Sequence, residues 1–211
     1  MKLLKKSTVS LVFGISSIFL SFANADERQH HIGVLGGIGL SSPSIKVNGN
    51  EPDKSSKIGF TGGLSYEYTI HPLFGVEVDA LYERRAFKTT SAGTETSFGS
   101  NHLTIPVLLR VHPISYFSVG VGGYYSSSFG DLSTETGSNS TSIAYTSAGV
   151  NRPDAGLIAS LRGQYPIADQ IQAVLDVRGL LGLVNQNSIQ DDNNSFKTRG
   201  IQAMLGVTYS L

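Results

Sequence analysis

The sequence predicts an all-β chain, an eight-stranded antiparallel up-and-down transmembrane β-barrel. Three observations carry that expectation. Apolar and polar residues alternate with a period of two over eight separate stretches, as strands do when their two faces meet different surroundings. Charged residues make up 15% of the 211 positions, against a usual ~25%, while Gly fills 24 of them, about 11% against ~7%. After residue 25, no apolar run approaches the ~20 residues that a spanning helix needs. Composition also excludes some functions. Sixteen basic and sixteen acidic residues cancel, so no basic field invites nucleic acid. The lack of Cys rules out a disulfide scaffold, a thiolate metal site and a Cys nucleophile.

Residues 1–25 read as a cleaved secretory signal. Lys2, Lys5 and Lys6 form its positive head, an apolar stretch follows from about Val9 to Phe22, and Ala23-Asn24-Ala25 supplies the small residues of a cleavage site. Ser10, Gly14, Ser16, Ser17 and Ser21 interrupt the apolar stretch, which argues against a retained anchor. Residues 26–211 then form one domain with net charge −3, His being neutral.

The strands follow in order. The first carries Ile32, Val34, Ile38 and Leu40 on one parity. The second is the cleanest, with Ile58, Phe60, Leu64, Tyr66, Tyr68 and Ile70 against Gly59, Thr61, Gly63, Ser65, Glu67 and Thr69. In the third, Phe74, Val76, Val78, Ala80 and Tyr82 oppose Gly75, Glu77, Asp79, Glu83 and Arg85. Leu103 to Val111 form the fourth, with Thr104, Pro106 and Arg110 on the other face. The fifth sets Phe117, Val119, Val121 and Tyr125 against Ser118, Gly120, Gly122 and Ser126. Ala155, Leu157, Ala159, Leu161 and Tyr165 alternate with Gly156, Ser160, Arg162 and Gln164 in the sixth. The seventh alternates Ile171, Ala173, Leu175, Val177 and Leu181 with Gln172, Asp176, Arg178 and Gly182. Ile201, Ala203, Leu205, Val207, Tyr209 and Leu211 end the chain, against Gln202, Gly206, Thr208 and Ser210.

Long polar connections at 41–57, 88–101, 126–153 and 184–199 alternate with short links near Pro72, His112–Tyr116 and Pro166–Gln170. That rhythm is the one outer-membrane barrels show, with both termini at the short-turn, periplasmic end. A soluble barrel would put the polar parity in water, but here that parity is Gly, Ser and Thr with too few Lys and Glu. Aromatics also collect at two levels of the apolar face. Tyr68, Phe74, Phe117, Tyr165 and Tyr209 lie near the short turns, and Phe60, Tyr82 and Tyr125 toward the long loops. Two such belts match the two lipid–water interfaces.

Several segments carry a resemblance: Val76-Glu77-Val78-Asp79-Ala80-Leu81-Tyr82-Glu83, Leu103-Thr104-Ile105-Pro106-Val107-Leu108-Leu109, residues 117–123, Asp154-Ala155-Gly156-Leu157 and the final Gly206-Val207-Thr208-Tyr209-Ser210-Leu211. Together they resemble the outer-membrane β-barrel domain family, the small OmpA-like and PorT-like barrels often labelled porin family proteins, over nearly the whole of residues 26–211. The resemblance implies the outer membrane of a Gram-negative bacterium, with its lipids and lipopolysaccharide as surroundings. It also implies that Gly206, Tyr209 and Leu211 resemble the signal read by the barrel assembly machinery. Leu211 stands where a terminal Phe is usual, and apolar Met204 where a polar residue is common.

The charges on the polar parity are the candidate functional residues: Glu67, Glu77, Asp79, Glu83 and Asp176 with Arg85, Arg110, Arg162 and Arg178. An eight-stranded barrel has an interior that side chains can fill, and unpaired buried charges are costly, so these groups are expected to pair into a plug. The spacing of Glu77, Asp79 and Glu83 stacks them up one wall, which explains them without a catalytic carboxylate set. Gly33, Gly36, Gly37 and Gly39 lack the spacing and the following helix of a dinucleotide loop. His30-His31 reads as a solvated tail, His71 and His112 as turn residues, and Asp191-Asp192-Asn193-Asn194 lacks the ligand order of a calcium loop. A lipid A-modifying enzyme would need a nucleophile–base pair near the rim. His102 is the obvious base there, with Ser91, Ser97 and Ser100 nearby, and no triad is recognisable. The expectation is a non-enzymatic anchor, without cofactor or metal, presenting its loops to an extracellular ligand; segment 126–153, the longest, is the first place to look. A narrow porin for small solutes is the alternative.

Overall fold

The computed structural model describes residues 30–46, 49, 54–91, 94–136, 139–144, 153–186 and 195–211. The expected signal at 1–25 and the acidic run at 191–194 lie outside the described residues. Eight long strands make the wall: β1 (His30–Ser41), β3 (Lys54–His71), β4 (Phe74–Ser91), β5 (Thr94–Ile114), β6 (Phe117–Thr136), β8 (Pro153–Ala168), β9 (Ile171–Gly182) and β11 (Arg199–Ser210). Three short strands, β2 (Ser44–Lys46), β7 (Asn139–Ile143) and β10 (Ser195–Lys197), sit at the long-loop end. Each long strand pairs antiparallel with the next, and β1 closes the ring on β11 with Val34 opposite Val207. Closure leaves no free strand edge in the wall, which hydrocarbon would not tolerate.

Two-residue links, Pro72-Leu73, Ser115-Tyr116 and Asp169-Gln170, join the strands at one end. The other end is uneven. A spanning strand needs ~9–11 residues. β3, β4, β5 and β6 run for 18 to 21 residues and rise as a tall half-wall, whereas β1, β9 and β11 stop at 12. This corrects the expected long loops. Residues 88–91 and 94–101 are paired strand, up to Ser91 opposite Thr94, and 126–136 and 139–143 are strand. Above the membrane, water bathes both faces, so nothing imposes an apolar parity and the alternation that marks a strand fades. Thr and Phe keep their β preference there. Phe87 stacks on Phe98 at 5.2 Å, and the Thr96 and Thr136 hydroxyls meet at 3.1 Å.

The apolar parity faces outward along every long strand, with Ile32, Val34, Leu64, Leu109, Leu161 and Leu205 all exposed. Phe60, Tyr125, Phe74, Phe117, Tyr165 and Tyr209 are exposed at the two ends of that band, and Tyr68 and Tyr82 are half-buried among them. Tyr82 lies between Phe60 and Phe129, at 5.3 and 5.8 Å. The interior is less polar than expected. Leu35, Leu81, Val174 and Met204 form one buried apolar cluster; Leu108, Tyr124, Ile158 and Leu180 form a second. Met204 therefore departs from the usual polar residue because it fills the interior beside Leu35 and Leu81.

Gly206 has a packing reason of its own. A Cβ there would lie 2.2 Å from the Val34 carbonyl oxygen and 2.6 Å from Leu35 Cδ2, so a side chain would push β11 from the strand that closes the ring. Tyr209 donates its hydroxyl to Gln170 Oε1, and the Leu211 amide donates to the His30 carbonyl at 2.9 Å, which fastens the chain end to β1. The His30-His31 pair is thus no tail. It begins β1, with Nδ1 of His30 2.7 Å from the Tyr66 hydroxyl and Nδ1 of His31 2.8 Å from Ser210 Oγ.

Candidate functional site in the barrel interior

Strand parity turns every one of the nine expected charges inward, and register decides which of them meet. Glu67 of β3 lies directly opposite Glu77 of β4, and Arg162 of β8 opposite Asp176 of β9. Two adjacent carboxylates repel each other, so arginines gather around them, Arg110 from β5 next to β4 and Arg162 and Arg178 from across the interior. Arg110 grips Glu77 through two nitrogens, Nε at 2.5 Å and Nη2 at 2.9 Å, in the forked geometry that makes Arg–carboxylate pairs strong. Arg162 adds contacts to Glu77 at 2.7 and 3.0 Å, and Arg178 one at 2.9 Å.

Asp176 is the second node. Its Oδ2 accepts from Arg110 at 2.8 Å, Arg162 at 2.8 Å and Arg178 at 2.9 Å, while Oδ1 accepts from Ser160 Oγ at 2.5 Å. Asp79 hangs from Arg178 Nη1. Glu77, Arg110, Asp176 and Arg178 are fully buried. Gly75 and Gly120 make the space. A Cβ at Gly75 would stand 2.6 Å from Glu67 Oε1, and one at Gly120 3.0 Å from Leu108 Cδ2 and 3.5 Å from Arg110 Nη1.

Below this layer, toward the short turns, Glu67 Oε1 meets His112 Nε2 at 2.6 Å, and Oε2 lies 3.6 Å from Arg162. His112 is therefore an interior residue rather than a turn residue. It follows Arg110 by two positions on the same inward face, a signal that simple alternation carries. A polar cavity of about 220 Å³ opens here, lined by His31, Glu67, His112, Arg162, Gln164 and Thr208 among others.

Toward the long-loop end, a second network centres on Arg85. Its Nε donates to Glu83 Oε2 at 2.8 Å and its Nη1 to Asp154 Oδ2 at 2.9 Å, with the guanidinium 5.9 Å above the Tyr124 ring. Tyr124 donates its hydroxyl to the same Asp154 oxygen at 3.1 Å. Asp154 is a fully buried partner that the sequence reading passed over, although it shares the parity of Gly156, Ile158, Ser160 and Arg162. Above this network, Lys57 of β3 reaches Glu135 of β6 at 3.3 Å, and Phe196 of β10 packs on Phe87 at 5.9 Å.

His102, the base considered for a rim enzyme, is buried, with Nε2 2.8 Å from Ser100 Oγ. Its Nδ1 faces the Ser126 hydroxyl at 3.3 Å, where a catalytic triad places a carboxylate. Among the described residues, no group of three or more His, Asp or Glu side chains is arranged to hold a metal ion.

The family described as "Outer membrane protein beta-barrel domain" matches residues 22–211. No curated protein matches the chain by sequence. Among solved structures, the chain is similar to the outer membrane protein OprG from Pseudomonas aeruginosa, with 17% identity, 88% of this chain and 97% of that one covered, and a TM-score of 0.52. It is also similar to Neisserial surface protein A, at 14% identity, 86% and 97% coverage and a TM-score of 0.47. Ail, the attachment invasion locus protein of Yersinia pestis, matches at 14% identity, 87% and 99% coverage and a TM-score of 0.44. At these identities the likeness to OprG speaks for the fold, a closed eight-stranded barrel.

Proposed function

Since the chain belongs to the outer membrane protein β-barrel domain family and is an outer-membrane barrel, we propose that it works as a membrane anchor with a plugged interior. Its surface interactions are made by the tall half-wall and the connections above it. One observation supports this most directly: three arginines and the carboxylates of Glu77 and Asp176 meet in a single buried cluster spanning the interior. A solute would have to break several charge-assisted contacts to pass. Its partners in this reading are outer-membrane lipids and lipopolysaccharide around the wall, the barrel assembly machinery during insertion, and an extracellular ligand at the rim. The protein is not an enzyme in this account, because the Ser100–His102 pair has Ser126 in place of an orienting acid.

The periplasmic cavity of about 220 Å³ favours a second reading, the inner half of a narrow pore. Liposome swelling separates the two. Vesicles carrying the refolded protein, diluted into iso-osmotic arabinose, should swell no faster than empty vesicles. Faster swelling would replace the anchor with a porin.

A further inference from the structure

A polar patch lies on the outer face of the wall, just above the aromatic row of Phe60, Tyr82 and Phe129. Arg84 follows Tyr82 by two positions on β4 and is exposed. Its guanidinium has neither an ion-pair partner nor a hydrogen bond among the described residues. Strand register gathers further donors around it. Lys57, Ala86, Gly99 and Ser133 stand opposite one another in a row across β3, β4, β5 and β6. A Cβ at Gly99 would lie 3.6 Å from Arg84 Nη2 and 3.8 Å from the Ser133 Cβ, so the guanidinium and Ser133 converge over that glycine. The Ser133 hydroxyl has no hydrogen bond among the described residues. Asn101, opposite Arg84, accepts the Tyr82 hydroxyl through Oδ1 at 2.9 Å, which leaves its amide nitrogen to donate.

Of the acids on this stretch of β6, Glu135 is held by Lys57 at 3.3 Å, and Asp131 forms no ion pair with Arg84. A free guanidinium beside an amide and a hydroxyl is a donor set for phosphate, which Arg meets with paired N–H groups in a fixed fork. Position selects the source. An aromatic row marks the lipid–water interface, so a patch one step above it stands at the headgroups of the outer leaflet. We propose that Arg84, Asn101 and Ser133 bind the phosphate of an outer-leaflet lipid, lipid A, against the outside of the barrel. The site gives the lipid contact of the anchor reading a defined place and rests on that membrane placement. It stands whether or not the interior conducts.

Native mass spectrometry of the refolded mature protein, released from micelles doped with diphosphoryl lipid A, counts the lipids that stay bound. The natural protein should retain diphosphoryl lipid A and shed the dephosphorylated form. Arg84→Gln should cut retention by about 10- to 100-fold, the worth of a charge-assisted contact, while the gel shift between folded and heated protein stays unchanged. Arg84→Lys should restore part of the loss. Arg199→Gln removes an exposed arginine from β11, elsewhere on the rim, and controls for overall charge. Retention that ignores the lipid's phosphates, or that falls equally in Arg199→Gln and Arg84→Gln, would overturn the proposal. Displacement of the lipid by equimolar inorganic phosphate would overturn its assignment to the membrane. If Arg84→Gln does not fold, Ser133→Ala decides: retention should drop, and unaltered retention would sink the site. Vesicle swelling, which tests the plugged interior, reads none of these contacts.

Discussion

Replacing Arg178 with Met isolates Asp79. Arg178 is the ion-pair partner of Asp79 among the described residues, and Asp79 Oδ1 has no hydrogen bond. Both side chains are buried. Glu77 and Asp176 also lose a contact in this variant, but each keeps Arg110 and Arg162. The main cost is therefore one uncompensated buried carboxylate, about 3–5 kcal/mol. That corresponds to roughly two to nearly four orders of magnitude in the unfolding equilibrium. If the cost sits on Asp79, removing its charge should return part of it. The double variant Arg178→Met/Asp79→Asn should recover about 1–3 kcal/mol relative to Arg178→Met alone. Urea unfolding in lipid vesicles measures both. The chain has no Trp, so circular dichroism or the gel shift between folded and heated protein must report it. A double variant no more stable than the single one would refute the reasoning, because Asp79 would not then be the stranded group.

Two further outcomes are expected. Gly206→Leu drives a side chain into the Val34 carbonyl and Leu35, so the fraction that refolds to the heat-modifiable form should collapse, and Gly206→Ala should fall between it and the natural protein. Met204→Ala opens a cavity beside Leu35, Leu81 and Val174, and should cost about 2–5 kcal/mol in the same urea assay, in contrast to the mild effect expected of a side chain in a wet channel.

The alternation in β3 and β11 was enough to specify the wall. In lipid the outward face must be apolar and the backbone must be paired, so pattern and structure have the same cause there. The inward charges were legible for the same reason, by elimination from the lipid face. Their partners were not, because Arg110 reaches Asp176, and Arg162 and Arg178 reach Glu77, across the interior, and nothing local in the sequence records a cross-barrel distance. Leu35, Leu81, Leu108 and Ile158 were hidden in a different way. An interior tolerates both polar and apolar groups, so its parity carries a weaker signature than the lipid face. Residues 88–91 and 94–101 read as loop because Ser and Thr in water need not alternate, yet strand pairing orders them into β4 and β5. Asp154 and His112 were both within reach: His112 lies one alternation step beyond the strand limit assigned from the sequence, and Asp154 is the first residue after the 126–153 connection, on the inward parity of Gly156.

The account rests on the claim that the buried ionic cluster closes the interior. Single-channel recording of the refolded mature protein in a planar bilayer tests that claim, with folding verified by gel shift on the same sample. The account predicts a silent membrane. Stable, reproducible current steps that change when Arg110 is replaced would contradict it and identify the interior as a conducting path.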